Sequence, residues 1–380
     1  MTSLRFRNNL IQIAFLSLLV LLAASFVVIA GRNMAAQGIT SGFGFLERAT
    51  GWDVGFSLLP FSIRDPYWWT LLIGFLNTLF VGYFSIIFAT LVGLVVAMMR
   101  ISGNPVLNLV SLGYVELIRN IPPILQVLAW YGVFSALPAP KQAIQLGDSI
   151  FLSARGLFVP VLNVHPWALL AISLVVLVMV GLLCWVAFGR RFLFRPRSAR
   201  LKMQGATVIG AMLVVAAIIL VSRIPDMPLL SVPELKGFNF RGGISVSPEL
   251  ATILVATTIY GSAYVAEIVR GGFLSVPQGQ IEAGRALGMP PWKIFACIQL
   301  PITIRNVIPM MTNFYVWLIK ATTLGIAIGF SDLFMVVASA INQSGQTIEL
   351  IIILAASFWL LNGVIVAGMN RIDARLRVKR

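Results

Sequence analysis

Long apolar runs with few or no charged residues recur along most of the chain, separated by shorter polar segments. A bilayer core of about 30 Å requires roughly 20 helical residues at about 1.5 Å each. Eight runs are long enough: 10–30, 69–99, 106–136, 166–188, 204–221, 249–269, 303–330 and 349–369. The pattern predicts an all-α polytopic membrane protein with about eight transmembrane helices, the first of them a retained anchor rather than a signal peptide.

The composition agrees with a membrane protein and excludes several other classes. Of 380 residues, 59% are hydrophobic and 11% are charged, and the mean hydropathy is +0.93. The net charge of +15 reflects basic residues that fall mainly between the apolar runs, so no nucleic-acid partner is expected. With two cysteines, Cys184 and Cys297, and one histidine, His165, the chain offers neither a disulfide framework nor a metal site.

The distribution of lysine and arginine predicts the orientation in the membrane. With both termini in the cytoplasm, eighteen basic residues lie on the cytoplasmic side and eight on the other. This is the bias of the positive-inside rule. Six of the eighteen lie between Arg190 and Lys202. That segment is interpreted mainly as an orientation signal, and secondarily as a contact with anionic lipid.

The sequence lacks the motifs of nucleotide hydrolysis and of two common hydrolase classes. It contains no Gly-Lys dipeptide, and therefore no P-loop. It also lacks a Gly-x-Ser-x-Gly elbow and a His-Glu-x-x-His pair. We expect no catalytic residues and no cofactor in this chain, which is not predicted to be an enzyme by itself.

The most specific stretch follows the sixth apolar run. Residues 277–288 read PQGQIEAGRALG, and nine residues later 298–301 read IQLP. Good helix formers from Gln280 to Leu287, ended by Gly288 and two prolines, predict a two-turn helix on the membrane surface. Small side chains at 283, 284 and 286 would let a partner backbone approach it closely. The alternative is a connector that only joins two spans.

This pattern resembles the EAA loop of ABC importer permeases, with Gly284 where a second alanine is usual. The resemblance implies that the short helix seats in a groove of a separate ATPase subunit, which binds ATP and Mg and closes as a dimer. It implies these ATPase-coupling residues: Gly279, Glu282, Ala283, Gly284, Arg285 and Gly288.

Three further stretches narrow the resemblance: Asn77-Thr78, RNIPPILQ at 119–126 and YVAEIVRGG at 264–272. They are similar to permeases of the polar amino-acid uptake family. The extra N-terminal span, residues 42–46 and an inserted helix pair resemble its general L-amino-acid branch, the Aap or Bzt type. The resemblance implies a type I ABC importer permease core with these additions.

That resemblance also implies a division of the chain. The expected segments are an anchor helix and outside loop at 1–68, a first core part at 69–138, an insertion with two transmembrane helices at 139–247, a second core part at 248–370 containing the coupling loop 277–301, and a basic cytoplasmic tail at 371–380.

Charged side chains inside the apolar runs are candidates for the substrate pathway. Each costs about 2.5–3.5 kcal/mol at a bilayer centre unless it has a partner or water. Glu116 with Arg119, and Glu267 with Arg270, are spaced three residues apart on a helix. Each pair is therefore expected to neutralise itself. Glu267 has the stronger functional case because it precedes the coupling loop on the same helix.

Lys320 is a different case because no acid follows it until Asp332. An unpaired ammonium favours an anion, and an amino-acid carboxylate, with the hydroxyls of Thr322 and Thr323 beside it, would complete a polar site. The equal alternative is a lysine that extends toward the membrane interface. In the family this stretch commonly carries an acid where Ala321 stands, which leaves open whether this subunit or a paralogous partner holds the substrate.

The expected function is a permease subunit that imports L-amino acids by alternating access in a bacterial inner membrane. Its expected partners are an ABC ATPase dimer, a periplasmic solute-binding protein and a second, related permease chain, because a symmetric ATPase dimer presents two grooves. An ion- or proton-coupled secondary carrier, in which Glu267 and Lys320 bind the ion or the solute, is the alternative. A membrane scaffold or enzyme subunit would leave the intramembrane charges unexplained.

Overall fold

The computed structural model describes residues 2–36, 42–188, 196–224 and 228–376, so the basic segment 190–202 and the tail 371–380 fall partly outside these ranges. The α-helices within them are α1 Thr2–Ala36, α2 Tyr67–Ile101, α3 Pro105–Asn120, α4 Pro123–Ser135, α5 Pro166–Phe188, α6 Arg197–Ser222, α7 Pro248–Leu274, α8 Gln278–Ala286, α9 Pro291–Ile294, α10 Leu300–Ala321, α11 Leu333–Ser344 and α12 Thr347–Leu376.

Six helical segments in the described part of the chain are long and apolar enough to cross a membrane. They are Arg7–Asn33, Tyr67–Ile101, Ser198–Ser222, Pro248–Leu274, Pro291–Ile328 and Thr347–Ala374. Shorter apolar helices occupy Pro123–Ser135, Ala171–Leu183 and Leu333–Ser344. The expectation of a polytopic, largely helical membrane protein is confirmed.

The apolar run at 106–136 is not one continuous helix. It is divided into α3 and α4 at Ile121, whose backbone is extended with ψ 124°. Pro122 and Pro123 cause the break, since a proline disfavours helical geometry in the residue before it and lacks an N–H group. The Gln126 amide nitrogen donates to the carbonyls of Ile118, at 2.8 Å, and Ile121, at 3.0 Å. This buried side chain therefore satisfies two carbonyls that the break releases.

The run at 303–330 is part of a longer helical segment with irregular ends. It begins with α9, continues through a π-helical turn at Phe295–Gln299 into α10, and ends as a 3-10 helix at Thr322–Ile328. In the π turn, the Leu300 N–H donates to the Phe295 carbonyl. Pro301 follows immediately and has no N–H to continue the regular ladder.

Helix α11 has no counterpart among the apolar runs because its 12 residues are too few to span a bilayer. Asp332 begins it: the side-chain oxygen Oδ1 accepts from the Met335 N–H at 2.9 Å. Gly345 ends it in a left-handed conformation with φ 71°. Both are ordinary signals for a helix start and stop.

Short antiparallel strands occupy the segments on both sides of the α5–α6 pair. They are β1 Ile144–Leu146, β2 Ile150–Ser153, β3 Gly156–Val159, β4 Val161–Leu162, β5 Leu230–Ser231, β6 Glu234–Lys236, β7 Asn239–Arg241 and β8 Ile244–Val246. The order in the largest sheet is β1-β2-β3-β8, and β4–β5 and β6–β7 form separate pairs. Strands of two to four residues are too short to show alternation in a sequence.

The described residues divide into two compact units. One comprises Met1–Leu79 and Ser331–Gly363, and the other comprises Phe80–Phe330 and Val364–Arg380. In the first, Leu71 of α2 packs in a buried cluster with Leu333 of α11. The buried Asn77 amide donates to the Ser331 carbonyl at 2.8 Å, and the Thr78 hydroxyl accepts from the Leu333 N–H at 2.9 Å. Asn77 and Thr78 thus fix the start of α11.

In the second unit, the core lies around α7. Val265 and Ala266 of α7 and Leu318 of α10 are fully buried in one cluster. At Gly272 an added Cβ would stand 2.2 Å from the Val307 Cγ2 atom, so the two helices approach as closely as a glycine permits. This contact holds α10 against the end of α7, shortly before α8 begins.

Candidate coupling surface and translocation face

Helix α8 is the short surface helix that the sequence pattern predicts. Its inner face carries Ile281 and Gly284, which are buried. Ile281 packs against Ile294 and Ile298, and a Cβ at Gly284 would come 2.8 Å from the Ile298 Cδ1 atom. Gly284 therefore permits a close contact within the chain rather than with a partner, and the small residues left for a partner are Ala283 and Ala286.

The outer face of α8 is exposed and carries most of the residues assigned to coupling. Gly279, Glu282, Ala283 and Arg285 are all exposed. Among the described residues, neither Glu282 nor Arg285 takes part in an ion pair. The pattern did not single out Leu287, whose side chain is 81% exposed at the end of this face. A surface of this kind offers a partner two unpaired charges and one apolar anchor.

Gly288 makes the turn that the sequence predicts. Its φ is 68°, and its N–H donates to the Arg285 carbonyl at 2.9 Å. The next N–H, of Met289, donates to the Gly284 carbonyl at 3.1 Å, which closes the helix end. A cavity of about 480 Å³ lies beside this turn, next to Arg285 and Gln299.

Glu267 and Arg270 of α7 form the predicted ion pair, but a third residue joins them. The Arg270 Nε donates to the Glu267 Oε2 at 3.0 Å, and a second bond joins Nη2 to Oε1. The Nη2 atom of Arg100, at the end of α2, lies 3.7 Å from the same Oε2. The Arg100 side chain is 10% exposed, and its Nε and Nη1 atoms are buried without a hydrogen-bond partner in the described structure.

This three-residue group is named here the α2–α7 charge cluster. One carboxylate faces two guanidinium groups, and the contact joins helices far apart in the sequence. Spacing along a single helix indicated Glu267 and Arg270 but not Arg100, because no local pattern reports a contact between α2 and α7. Arg270 of the α2–α7 charge cluster lies about one helical turn before α7 ends at Leu274, and α8 begins at Gln278.

The expected ion pair between Glu116 and Arg119 is wrong. Both side chains are exposed, and no salt bridge joins them within the described ranges. The Arg119 guanidinium instead lies over the Tyr264 ring, 5.1 Å from its centroid. Arg119 precedes the break at Ile121, and it takes an aromatic partner on another helix rather than an acid on its own.

Tyr264 belongs to a stack of aromatic rings on α7 and α10, the aromatic ladder. Ring centroids are 4.8 Å apart for Tyr260 and Tyr264, and 5.5 Å apart for Tyr264 and Phe314. Trp317 lies 5.2 Å from Tyr260 and 5.8 Å from Phe314, and it is 37% exposed. Spacings of three and four residues place these rings on one face of each helix. We name the ladder and Arg119 together the translocation face, as a candidate for the substrate pathway.

Lys320 lies one turn beyond Trp317, and its side chain is exposed. None of the salt bridges in the described structure involves it. The Thr322 hydroxyl is buried and donates to the Ile319 carbonyl at 2.8 Å, and the Thr323 hydroxyl donates to the Lys320 carbonyl at 2.7 Å. Both hydroxyl hydrogens are therefore used within the helix end, and Lys320 remains the group available to an anion.

Comparison with known proteins places the chain in a family. Residues 206–378 match the family model described as "Binding-protein-dependent transport system inner membrane component". The putative amino-acid ABC transporter permease protein YhdX of Escherichia coli (strain K12) is 35% identical over 349 residues, which are 91% of this chain and 88% of that protein. The chain belongs to this family. It is a multi-pass permease component of an inner-membrane ABC transport system, as the EAA-like pattern implied.

Other permeases match over most of their length. The general L-amino acid transport system permease protein AapQ of Rhizobium johnstonii is 35% identical, covering 90% of this chain and 86% of its own. The glutamate/glutamine/aspartate/asparagine permease protein BztB of Rhodobacter capsulatus is 27% identical, covering 99% and 95%. A crystal structure of an amino acid ABC transporter with histidines aligns with a TM-score of 0.47 and 19% identity, over 81% of this chain and 95% of its own.

A permease of this family is a transport subunit that works with an ATP-hydrolysing partner and a binding protein. The match at 206–378 contains α8, its turn at Gly288 and the Glu267–Arg270 pair. Arg119 and Arg100 lie before it and are placed beside α7 by the fold.

Proposed function

We propose that this permease imports L-amino acids and is energised by a separate ATPase through α8. The observation that carries the proposal is that α8 has one face buried against its own chain and one face exposed. Ile281 and Gly284 fasten it to the rest of the chain, while Glu282, Ala283, Arg285 and Leu287 face outward without partners in the described structure. An outer face of this kind fits the groove of another subunit, and the names of the relatives supply the substrate class.

The movement of α8 has two routes into the membrane-spanning helices. Ile281 packs on Ile294 and Ile298, at the π turn that leads into α10. Val276, in the short link from α7, joins the same buried cluster. When the ATPase subunits close, α8 moves with them, and α7 and α10 follow. These are the two helices that carry the aromatic ladder.

The translocation face supplies the groups that an amino acid requires. Arg119 and Lys320 offer positive charge to the α-carboxylate, and the aromatic ladder between them offers apolar surface. Thr322 and Thr323 shape the end of α10 rather than donate to the substrate. Glu116 is exposed near Arg119 and remains a pathway candidate. A second permease, related but different, faces this surface and completes the path.

The topology we propose has both termini in the cytoplasm and the strands outside, where a periplasmic solute-binding protein docks. Pairing of Phe158 in β3 with Ser245 in β8 closes the segment 139–247 on itself, which supports its treatment as an insertion. The remaining segments follow as 1–68, 69–138, 248–370 and 371–380. ATP and Mg bind to the partner ATPase, and this chain acts as a transport subunit rather than as an enzyme.

Uptake measured with Glu282→Ala tests the proposal. In proteoliposomes loaded with ATP and supplied with the binding protein and the other subunits, we expect amino-acid uptake to fall at least tenfold, with normal amounts of the permease present. Glu47→Ala is the matched control, because Glu47 is also exposed and takes part in none of the described salt bridges, but lies in the 3-10 helix Phe43–Glu47. Equal uptake by the Glu282→Ala variant, or uptake without nucleotide, would favour the ion-coupled carrier instead.

A further inference from the structure

Two cationic side chains from different helices meet at one exposed tryptophan. The Arg200 guanidinium, in the first turn of α6, lies 5.8 Å from the centroid of the Trp292 ring. The Lys293 ammonium lies 5.7 Å from the same centroid. Trp292 itself is 47% exposed. We name Arg200, Trp292 and Lys293 the basic tryptophan cluster.

The cluster lies at a boundary between membrane and water. One spanning segment begins at Ser198, and another begins at Pro291. Arg200 and Trp292 are each within two residues of these starts, and their contact places both starts at the same level. Tryptophan is enriched at this level because its ring is apolar while its N–H is polar. The cluster therefore lies at the depth of phospholipid headgroups, whichever side of the membrane it faces.

The positive charge of the cluster is not neutralised by the described part of the chain. The first turns of α6 and α9 contain no acidic residue. None of the salt bridges between described residues involves Arg200 or Lys293. The Nε atom of Arg200 is buried and has no hydrogen-bond partner there. Cations gathered in this way, with a donor left over, favour an anion beside them.

The surroundings favour lipid as the source of that anion. Helix α6 packs mainly with α5, and only 6% of its most apolar 18-residue stretch is buried. Next to the cluster, the apolar side chain of Leu201 is 57% exposed. A helix with this exposure faces acyl chains along its length, so the groups at its end face the headgroups of the same lipids.

We propose that the basic tryptophan cluster binds the phosphate of an anionic phospholipid and thereby holds the inserted helix pair against the coupling region. Arg200 and Lys293 contact the phosphate, and Trp292 lies at the interface between the headgroup and the acyl chains. Trp292 lies four residues after Gly288, which makes the turn at the end of α8, so a lipid held here fixes the segment next to the one that the ATPase moves.

The test measures lipid binding directly. The assembled transporter is purified with mild detergent, supplied with phosphatidylglycerol or phosphatidylcholine, and examined by native mass spectrometry. We expect the wild type to retain phosphatidylglycerol preferentially. Arg200→Gln and Lys293→Gln should each weaken this retention about fivefold, since a basic residue near an anionic surface contributes about 1 kcal/mol. Arg200→Lys should keep most of it.

Lys141→Gln is the matched control, because the Lys141 ammonium also lies over an aromatic ring, 4.6 Å from the centroid of Phe238, but in the strand-bearing segment. It should leave lipid retention unchanged. Retention that is equal in all variants would overturn the proposal, and so would retention lost equally with Lys141→Gln. Unchanged lipid retention with loss of the ATPase subunit from Arg200→Gln would show that the cluster contacts the ATPase instead.

Lipid binding is measured without any transport assay. If the proposed import of amino acids proved wrong, the lipid-binding result would therefore still stand. Activity gives a second readout. ATP hydrolysis by the wild type in nanodiscs should rise as phosphatidylglycerol replaces phosphatidylcholine, and the double variant Arg200→Gln, Lys293→Gln should require a severalfold higher fraction of it. Free inorganic phosphate should not substitute, because it brings no acyl chains to the interface.

Discussion

Helix α8 and the α2–α7 charge cluster carry their charges in opposite ways. On α8, Glu282 and Arg285 are exposed and form no ion pair in the described structure. In the cluster, the carboxylate of Glu267 lies between two guanidinium groups, one of them on a side chain that is only 10% exposed. The first arrangement leaves charge for a partner, and the second holds helices of one chain together. Substitutions should therefore affect coupling in one region and stability in the other.

The largest effect is expected from Glu267→Gln. It leaves Arg100 and Arg270 facing each other without a carboxylate, and we expect a loss of about 2 kcal/mol in stability, below the about 3–5 kcal/mol for a fully buried pair because Glu267 is 27% exposed. The midpoint of thermal unfolding of the purified permease measures it. Arg270→Lys keeps the charge and should lose less. A Gln variant as stable as the wild type would show that the cluster does not hold the helices together.

Next in size is Leu287→Ser on the outer face of α8. An exposed apolar side chain at a docking surface anchors the partner, so its loss should weaken ATPase binding by roughly 2 kcal/mol, about thirtyfold. Copurification of the ATPase with the permease measures the change, and the unfolding midpoint should not move. Leu274→Ser is the control, because Leu274 is also exposed but lies at the end of α7. If both variants lost ATPase binding equally, the outer face of α8 would be no more important for docking than the rest of the exposed surface.

Gly288→Ala should have an intermediate effect. Its φ of 68° is strained for any residue with a Cβ, at a cost of about 1–2 kcal/mol. The strain tilts α8 or frays its end, so we expect uptake to fall several-fold. In Gly271→Ala the added Cβ meets nothing within 4 Å, and the backbone is helical, so uptake should be unchanged. If both variants transport equally, the angle of α8 does not matter for coupling.

The smallest effect on stability is expected from Arg119→Gln. The contact with the Tyr264 ring contributes about 0.5–1 kcal/mol at an exposed site. The unfolding midpoint should therefore change little, while uptake falls because the carboxylate of the substrate loses a partner. A large drop in the midpoint would mean that Arg119 holds helices together as Glu267 does.

The local features of both regions were predictable, and their long-range partners were not. The start, turn and length of α8 follow from the helix formers, Gly288 and the prolines that surround them. The pair Glu267–Arg270 follows from the spacing of one helical turn. Arg100 beside Glu267, and Tyr264 beneath Arg119, depend on how α2, α3 and α7 pack, and no periodicity along one helix encodes that packing.

Prolines and short elements account for the other differences. Pro122 and Pro123 disfavour a continuous helix through the run at 106–136. The way the break at Ile121 is satisfied depends on the Gln126 side chain, which reaches back over the gap. The strands between 144 and 246 are too short to show a pattern. The sequence places Gly284 among the small residues that a partner could approach. In the structure it faces Ile298, which belongs to the following π turn, so the pattern within α8 does not reveal its inward direction.

The most direct test of the central claim, that the ATPase binds the outer face of α8, is a measurement of cysteine protection. It uses Ala283→Cys in a background with Cys184→Ser and Cys297→Ser. Ala283 is exposed on the outer face of α8, so a maleimide should modify the cysteine rapidly in the permease alone. In the assembled transporter the ATPase should cover this face, and modification should slow at least tenfold. Equal rates with and without the ATPase would contradict the claim that α8 is the surface through which ATP hydrolysis drives transport.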